Sequence, residues 1–301
     1  MNKLMKVIKN PYKIFVYLGY KGMLNWMDDK TYLKLYYRAI VGKKLNLKNP
    51  KSFNEKLQWL KLYDRKPEYT KMVDKYEAKL YFAEKVGEEY IVPNYGVWND
   101  FDEIDFDTLP NQFVLKCTHD CGGLVICRDK SKLDINAARE KISKCLKKQY
   151  FWGSREWPYK NVKPRIIAEK YMENNDRGLR DYKFYCFDGN VPYLYISEGL
   201  EDHATANISF LTTDWEKAPF GRLDYAPFEE LPEKPEKLEE MIEIAKTLSK
   251  GHPFLRVDLY EVSGNIYFSE LTFTPCGGTM PFTDEEWNNK LGDMIKIPGD
   301  K

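Results

Sequence analysis

The stretch FLRVDLYEVSGNIYFSELTF, residues 254–273, decides the fold. Apolar and polar residues alternate on both sides of Ser263-Gly264, which predicts two strands joined by a tight turn. In such a hairpin Asp258 and Glu270 come within a few residues of register. Two converging carboxylates repel each other unless a cation or a proton lies between them. Mg²⁺ fits, because it binds carboxylate oxygens together with nucleotide phosphates. The alternative is that one acid faces solvent.

The same two-residue period places Arg256 on the face of Asp258, and Thr272 on the face of Glu270. Further strands are predicted upstream, at residues 112–118, 124–128, 165–172, 182–187, 193–198 and 208–212, with helices at 135–148 and 238–250. Residues 89–97 are predicted to form a short strand and turn around Pro93. We therefore expect an α+β fold built of antiparallel hairpins with helices layered against them.

Residues 28–90 have a helical pattern instead. Asp28 or Asp29 can cap a first helix, and the spacing of Ser52 and Glu55 is that of a capping box at the start of a second. A third helix is predicted to carry the apolar or aromatic positions Val73, Tyr76, Leu80, Phe82 and Ala83.

Three lysines lie on predicted strands among apolar neighbours: Lys116, Lys170 and Lys183. Burying a lysine is costly unless it meets an anion, so three of them suggest a polyphosphate site. Gly122 and Gly123 join two of the strands, and such a turn can approach a phosphate with its backbone N–H groups exposed. A Gly-Gly pair is also an ordinary hairpin turn, and His119 beside it is either structural or part of a substrate-binding flap.

The composition bounds the class of protein. Hydrophobic residues make up 43% and charged residues 31% of the 301 residues, which is typical of a globular chain. No window approaches 18 uninterrupted apolar residues, so no transmembrane span is expected. The six cysteines form no CxxC pair and have no histidine at zinc spacing, and no signal peptide is evident. We therefore expect reduced thiols and a cytoplasmic protein.

Charge is distributed unevenly. Residues 1–51 hold 12 Lys or Arg against 2 Asp, whereas the remaining 250 residues hold 35 basic and 44 acidic residues. A lysine-rich and aromatic segment, residues 1–27, suits either contact with an anionic membrane face or packing on the body with its lysines in solvent.

Several motifs together resemble the ATP-grasp superfamily, and more closely its TupA-like branch, which is named for teichuronopeptide biosynthesis. The resemblance runs from about Ser52 to Pro298. It rests on SFNEKLQWLKLYDR (52–65), QFVLKCTHDCGG (112–123), REWPYKNVKPRIIAEKYM (155–172), DYKFYCFDG (181–189), FLRVDLYEV (254–262) and IYFSELTFTPCGG (266–278).

The resemblance implies an ATP-grasp architecture, with a nucleotide cleft between two antiparallel-sheet α+β subdomains preceded by a helical region. The parts expected are a basic helical arm (1–51), an amino-terminal subdomain (52–110), a nucleotide-binding subdomain (111–172) and a carboxy-terminal subdomain with the metal site (173–301).

The resemblance also implies roles for single residues. Lys116 and Lys170 would hold the phosphates of ATP, with Lys183 as a third nucleotide contact. Glu169 and the backbone of Tyr171 and Met172 would read the adenine edge. The flap over the phosphates would contain Gly122 and Gly123. Asp258 and Glu270 would bind Mg²⁺, with Arg256 steadying an acyl phosphate. Many ATP-grasp ligases have Glu-x-Asn at the metal strand, whereas here Thr272, a poorer ligand, occupies the third position.

The reaction implied is amide formation through an acyl phosphate, with release of ADP and phosphate. A water-excluding flap would protect the intermediate, and Thr274–Thr279 would form the acceptor-side wall. By association, a uronic acid and an amino acid or amine in bacterial surface-polysaccharide biosynthesis are the expected substrates. The rivals are a glycosyltransferase, for which Asp105-Phe106-Asp107 is the best DxD motif, and a non-catalytic adapter held at the membrane by the basic arm.

Overall fold

The computed structural model describes residues 11–120, 122–173, 179–200 and 205–299. Its helices are α1 (Pro11–Tyr20), α2 (Asp29–Val41), α3 (Phe53–Tyr63), α4 (Glu68–Val73), α5 (Glu77–Lys85), α6 (Ile135–Leu146), α7 (Phe151–Ser154), α8 (Leu238–Ser249) and α9 (Glu285–Met294). Its strands are β1 (Asn94–Trp98), β2 (Phe113–Cys117), β3 (Leu124–Cys127), β4 (Ile166–Lys170), β5 (Asp181–Phe187), β6 (Asn190–Glu198), β7 (Asn207–Thr212), β8 (Leu255–Val262) and β9 (Asn265–Thr272).

The strands form two antiparallel sheets. The first has the order β1-β4-β2-β3, and the second has the order β7-β6-β5-β8-β9. The predicted α+β class, with two antiparallel sheets behind an amino-terminal helical region, is confirmed. The predicted strand between residues 89 and 97 forms only after Pro93, because residues 88–90 form a 3₁₀ turn instead.

The β8–β9 hairpin has the turn that its sequence predicts. Ser263 and Gly264 have φ angles of 52° and 72°, and positive φ at both central residues defines the type I′ turn that matches the twist of a hairpin. The turn pairs Leu259 with Phe268, and a register shift at Ser269 then brings Glu270 opposite Asp258.

The second sheet has one apolar face and an opposite face, the polar face, on which charged side chains lie beside an aromatic cluster. Val257 and Leu259 are fully buried and pack with Met241 and Leu248 of α8, so this face forms the main core. Arg256, Asp258 and Tyr260 alternate with these residues along β8 and lie on the opposite face, toward the first sheet. Burying each such apolar side chain contributes about 1.5–3 kcal/mol to stability. The orientation of the sheet is therefore fixed, and with it the position of the polar face.

The first sheet packs on α6, through Leu115 and Ile166 of the sheet and Ile142 of the helix. Phe101 belongs to the same cluster, and β1 pairs with β4. Residues 94–110 therefore pack with the first sheet, and the packing favours a subdomain boundary near Pro93 in place of the one expected after residue 110.

The amino-terminal helices pack on the body around a buried arginine. Arg155 is 0% exposed, and its guanidinium lies 4.3 Å from the ring centre of Tyr32 and donates to the carbonyl of Leu24 at 2.9 Å. The Tyr32 hydroxyl donates to the carbonyl of Gly153 at 2.8 Å. Within the lysine-rich segment 1–27 of the arm, residues 11–27 are described by the structure and are thus attached to the body. Residues 1–10 lie outside the described residues.

The third predicted helix is broken in two. Asp74 ends α4, and its carboxylate accepts hydrogen bonds from the backbone N–H groups of Tyr76 and Glu77, at 2.8 and 3.0 Å, which starts α5. This side-chain competition with the helix backbone is typical of aspartate. The break turns Lys75 toward the cleft, where its N–H donates to the carbonyl of Thr118 at 3.0 Å.

Candidate active site

The cleft between the two sheets contains two adjoining cavities of about 230 and 240 Å³. Lys116 and Glu169 from the first sheet, and Asp181 and Tyr260 from the second, line both cavities. The facing sheets therefore define one elongated site with two compartments.

The first compartment is largely apolar. Val114 and Ile126 of the first sheet form one wall, and the chain segment Lys170–Met172 passes along its edge. This segment directly follows β4, so its backbone groups lie at the rim of a flat apolar slot. Such a slot suits an aromatic ring with a hydrogen-bonding edge.

A buried carboxylate with two lysines separates the compartments. Glu169 is 4% exposed and lies 2.7 Å from the Nζ of Lys79 and 2.5 Å from the Nζ of Lys116. Burial alone would raise the pKa of Glu169, but the two ammonium groups outweigh it and lower the pKa to about 2. Glu169 is therefore ionised at neutral pH, and both of its oxygens are engaged with lysines.

The second compartment borders a cluster of four charged side chains on the polar face of the second sheet, of which Lys183 and Glu270 line it and Arg256 and Asp258 lie behind them. Lys183 donates to Asp258 Oδ2 at 2.6 Å. Arg256 donates to both oxygens of Asp258, at 2.7 and 2.6 Å, and to Glu270 at 2.9 Å. Asp258 is 0% exposed, so its charge is tolerated because two cations surround it.

The electrostatics of this cluster follow from its geometry. Burial would raise the pKa of Glu270, but the positive charges of Lys183 and Arg256 outweigh it and lower the pKa to about 2. Burial raises the pKa of Asp181, and the negative charges of Asp258 and Glu270 act in the same direction against the nearby Lys183. The compartment thus presents ionised acids and fixed cations together.

The acid pair fits a magnesium ion in its chemistry. Asp258 and Glu270 are register partners, and the Glu270 side chain is 32% exposed on the wall of the compartment. Carboxylate oxygens that share a site with nucleotide phosphates are the ligands that Mg²⁺ prefers. Thr272 lies two residues farther along β9, where it pairs with Arg256 across the hairpin.

The glycine turn lies against two thiols. A Cβ on Gly123 would come within 2.5 Å of Cys145 Sγ and 2.6 Å of Cys117 Sγ, so close packing requires glycine there. Gly122 is exposed, with only the carboxylate of Asp120 near its missing Cβ, at 3.6 Å. Gly123 lines the second compartment. The residue before the pair, Cys121, lies outside the described residues.

Lys170 differs from the two other lysines expected at the phosphates. It is exposed where β4 ends, and it lines the apolar compartment only. Lys116 lines both compartments and Lys183 lines the second, among the polar groups. The three lysines are therefore not equivalent, because Lys170 lies at the end of β4, where its side chain is exposed to solvent.

Two lysines of the site were missed by the sequence analysis. Lys75 lines the second compartment, and its Nζ donates to the carbonyl of Asp120 at 2.8 Å. Lys79 pairs with Glu169 and donates to the carbonyl of Val92 at 2.9 Å. Their spacing of four residues was not a sound signal, because the break at Asp74 leaves Lys75 between α4 and α5 and only Lys79 on a helix.

Two other polar motifs have local partners. His119 is buried, and its Nε2 lies 3.0 Å from the carbonyl oxygen of Lys148. Asp105 is exposed and caps a 3₁₀ turn by accepting from the N–H of Asp107 at 3.0 Å. Across the described part of the chain, no group of three or more His, Cys, Asp or Glu residues could hold a metal ion. The metal hypothesis therefore rests on two carboxylates.

Comparisons with known proteins assign the chain to a family. A family model described as TupA-like ATPgrasp matches residues 55–296. No curated protein matches the chain. Similar solved structures include a D-alanine–D-alanine ligase from Helicobacter pylori, at 14% identity and a TM-score of 0.44, covering 82% of this chain and 71% of that one.

Two others have comparable similarity. A D-alanine–D-alanine ligase from Bacillus anthracis complexed with ATP is 18% identical, with a TM-score of 0.40, covering 82% of this chain and 67% of that one. An L-amino acid ligase from Bacillus licheniformis is 12% identical, with a TM-score of 0.45, covering 84% and 57%.

Proposed function

The chain belongs to the TupA-like ATP-grasp family, and from this premise we propose that it is an ATP- and Mg²⁺-dependent carboxylate–amine ligase. The family that the motifs suggest is thus confirmed, and with it the ATP-grasp fold. One observation carries the proposal. Lys183, Arg256, Asp258 and Glu270 gather on one sheet, opposite the buried Lys116–Glu169 pair on the other.

The nucleotide would lie along the cleft. The apolar compartment takes the adenine ring, with the backbone of Tyr171 and Met172 at its edge. Glu169 would organise Lys116 and Lys79, because each of its carboxylate oxygens contacts one of these lysines. Lys170 would lie beside the base or the ribose, since it lines only the apolar compartment.

The phosphates would lie in the second compartment. Lys75, Lys116 and Lys183 line it and supply the positive charge that a polyphosphate needs. Gly122 and Gly123 form the flap above them, and the close packing of Gly123 on the thiols fixes one end of that flap.

Asp258 and Glu270 would hold Mg²⁺, with Thr272 as a weaker third ligand. The ion supplies neutralisation of the charge between the β and γ phosphates. Arg256 holds both oxygens of Asp258 and one of Glu270, so it would have to release both acids to admit the ion, which would leave its guanidinium free to steady the acyl phosphate. The chain's own task is to position the carboxylate and to exclude water from that intermediate.

For the substrates we propose a uronic acid and an amino acid or amine, joined during bacterial surface-polysaccharide biosynthesis in the cytoplasm. The support for this step is the association of the TupA-like branch with teichuronopeptide biosynthesis, not a contact in the cleft. We place the reaction where carboxylate sugar precursors are made.

Calorimetric titration tests the nucleotide site. We expect ATP to bind and its affinity to rise when Mg²⁺ is present, because the acid pair and the phosphates then share one ion. Phosphate release from ATP, compared with turnover of a UDP-sugar, is the second measurement. Binding and turnover of the UDP-sugar without ATP binding would favour the glycosyltransferase, and no turnover of either would favour the adapter.

We also propose a peripheral contact of the amino-terminal arm with an anionic membrane face. None of the helices in the described ranges is long and apolar enough to cross a membrane. Four large apolar or aromatic side chains at the end of α1 and after it are nevertheless well exposed, namely Tyr17 (57%), Tyr20 (62%), Met23 (63%) and Trp26 (79%). Beside the positive charge of residues 1–51, this set suits a lipid interface.

A further inference from the structure

The motif SFNEKLQWLKLYDR, residues 52–65, supplies no residue to either compartment of the cleft. Its helix, α3, nevertheless buries three polar side chains on one face, at the spacing i, i+4 and i+7: Asn54 (2% exposed), Gln58 (0%) and Lys61 (2%). Burying polar groups costs free energy unless each finds a partner. A helix that buries three of them on one face therefore needs a specific partner there.

That partner is the backbone of the loop after β9. Lys61 Nζ donates to the carbonyl of Gly277 at 2.5 Å. Gln58 Nε2 donates to the carbonyls of Gly277 and Gly278, at 3.1 and 2.7 Å. Asn54 donates to the carbonyl of Met280 and accepts from its N–H, both at 2.9 Å. All three side chains thus contact residues 277–280.

The loop needs such support because its backbone is strained. Cys276, Gly277 and Gly278 follow one another with φ angles of 52°, 60° and 72°. A left-handed run costs about 1–2 kcal/mol for a residue with a side chain, and glycine gives up conformational freedom to adopt it. Bonds to buried donors are what hold such a segment in one conformation.

The loop also borders the charged cluster of the cleft. It begins two residues after Thr272, which pairs with Arg256 across the β8–β9 hairpin. Cys276 itself is exposed. The loop therefore leaves the hairpin directly beside the strand position of Arg256.

Lys61 is the centre of the contact. Within the described residues no carboxylate lies at ion-pair distance from its ammonium group, which donates to the carbonyls of Ser154, at 2.8 Å, and Gly277. It also donates to the amide oxygen of Gln58, at 3.2 Å, which orients that amide toward the loop. Burying an ammonium group that is held only by neutral oxygens costs free energy. Its hydrogen bonds fix the positions of the carbonyl groups that accept them.

We propose that α3 is a positioning device for the acceptor-side loop, residues 274–280, and that Lys61 is the positioning residue on which it depends. The proposal rests on the proposed function in one respect, since it assigns the loop to the wall that meets the acyl phosphate. Lys61 lines neither nucleotide compartment, so its effect on the cleft would not come from contact with the nucleotide.

The test compares Lys61→Met with Lys56→Met. Lys56 lies on the same helix and also donates to a backbone carbonyl, that of Ile295 at 2.9 Å, which is outside residues 274–280. Hydrogen exchange should show the amides of residues 277–280 exchanging at least tenfold faster in Lys61→Met and unchanged in Lys56→Met. The rate constant of phosphate release from Mg-ATP should fall at least tenfold in Lys61→Met, with an unchanged KM for ATP.

Unchanged protection of residues 277–280 in a folded Lys61→Met variant would overturn the proposal, and so would a raised KM with an unchanged rate constant. If Lys61→Met does not fold, Gln58→Met is measured in its place, because it removes the two hydrogen bonds from Gln58 to the carbonyls of Gly277 and Gly278. Wild-type protein that binds no Mg-ATP would refute the ligase. The exchange measurement would still decide whether α3 holds the loop.

Discussion

At the scale of single residues, two carboxylates organise the cleft by holding two cations each. Glu169 fixes Lys79 and Lys116, and Asp258 fixes Lys183 and Arg256. Flexible lysines lose rotamer entropy when they bind a phosphate, and a carboxylate that holds them beforehand reduces that loss. The cations are therefore already positioned where a polyphosphate would need them.

Glu270→Gln tests the metal site at the residue scale. We expect ATP to bind as in the wild type without Mg²⁺, while the gain in affinity with Mg²⁺ disappears and turnover falls about a hundredfold or more. Calorimetry and phosphate release measure the two effects. Glu261→Gln, at the far end of β8, is the matched control, and equal turnover in both variants would remove Glu270 from the metal site.

Glu169→Gln tests the lysine–carboxylate contact through pH. The pKa of about 2 in the folded protein lies below the ordinary value of 4.5, so the stabilisation is complete above pH 4.5 and is lost as the pH falls toward 2. We expect the free energy of unfolding of the wild type to exceed that of the variant by about 3 kcal/mol near pH 7. At pH 3 this difference should be smaller by about 2 kcal/mol. Urea unfolding at several pH values measures this gap. A gap that does not change with pH would show that Glu169 has an ordinary pKa.

At the scale of elements, local patterns predicted the strands and the β8–β9 turn, because alternation and turn chemistry are properties of neighbouring residues. The Asp258–Glu270 pairing needs, in addition, the register shift at Ser269, which neither the alternation nor the turn predicts. The partners of Glu169 could not be predicted in this way, since Lys79 reaches it from another element. The apolar pattern also failed to show the break at Asp74, because the break depends on one carboxylate that accepts two backbone hydrogen bonds at the start of α5.

The β2–β3 turn gives a prediction at this scale. Gly123→Ala places a Cβ against Cys145 Sγ and Cys117 Sγ, at 2.5 and 2.6 Å, and neither sulfur can move far within the buried core. We expect a loss of about 1–3 kcal/mol in the free energy of unfolding. Gly122→Ala is the matched control and should change stability by less than about 0.5 kcal/mol. Equal urea midpoints for the two variants would contradict the close packing.

At the scale of the whole molecule, the exposed side chains after α1 give the last prediction. Full-length protein should sediment with anionic vesicles at low salt and much less at high salt, since each lysine near the surface contributes about 1 kcal/mol. Trp26→Ser combined with Met23→Ser should weaken binding severalfold. Leu223→Ser is the control, because Leu223 is 71% exposed but lies far from the arm in sequence. Full-length protein that ignores anionic vesicles would exclude the membrane contact.

The buried Arg155 has a consequence for how the chain is made. The ribosome delivers α1 and α2 before Gly153, whose carbonyl accepts a hydrogen bond from the Tyr32 hydroxyl and which follows Tyr32 by 121 residues. At 5–20 residues per second this delay lasts about 6–24 s. During that time the aromatic face that later covers Arg155 has no partner from residues 153–155. We therefore expect the emerging chain to bind chaperones at the ribosomal exit until this anchor has been synthesised.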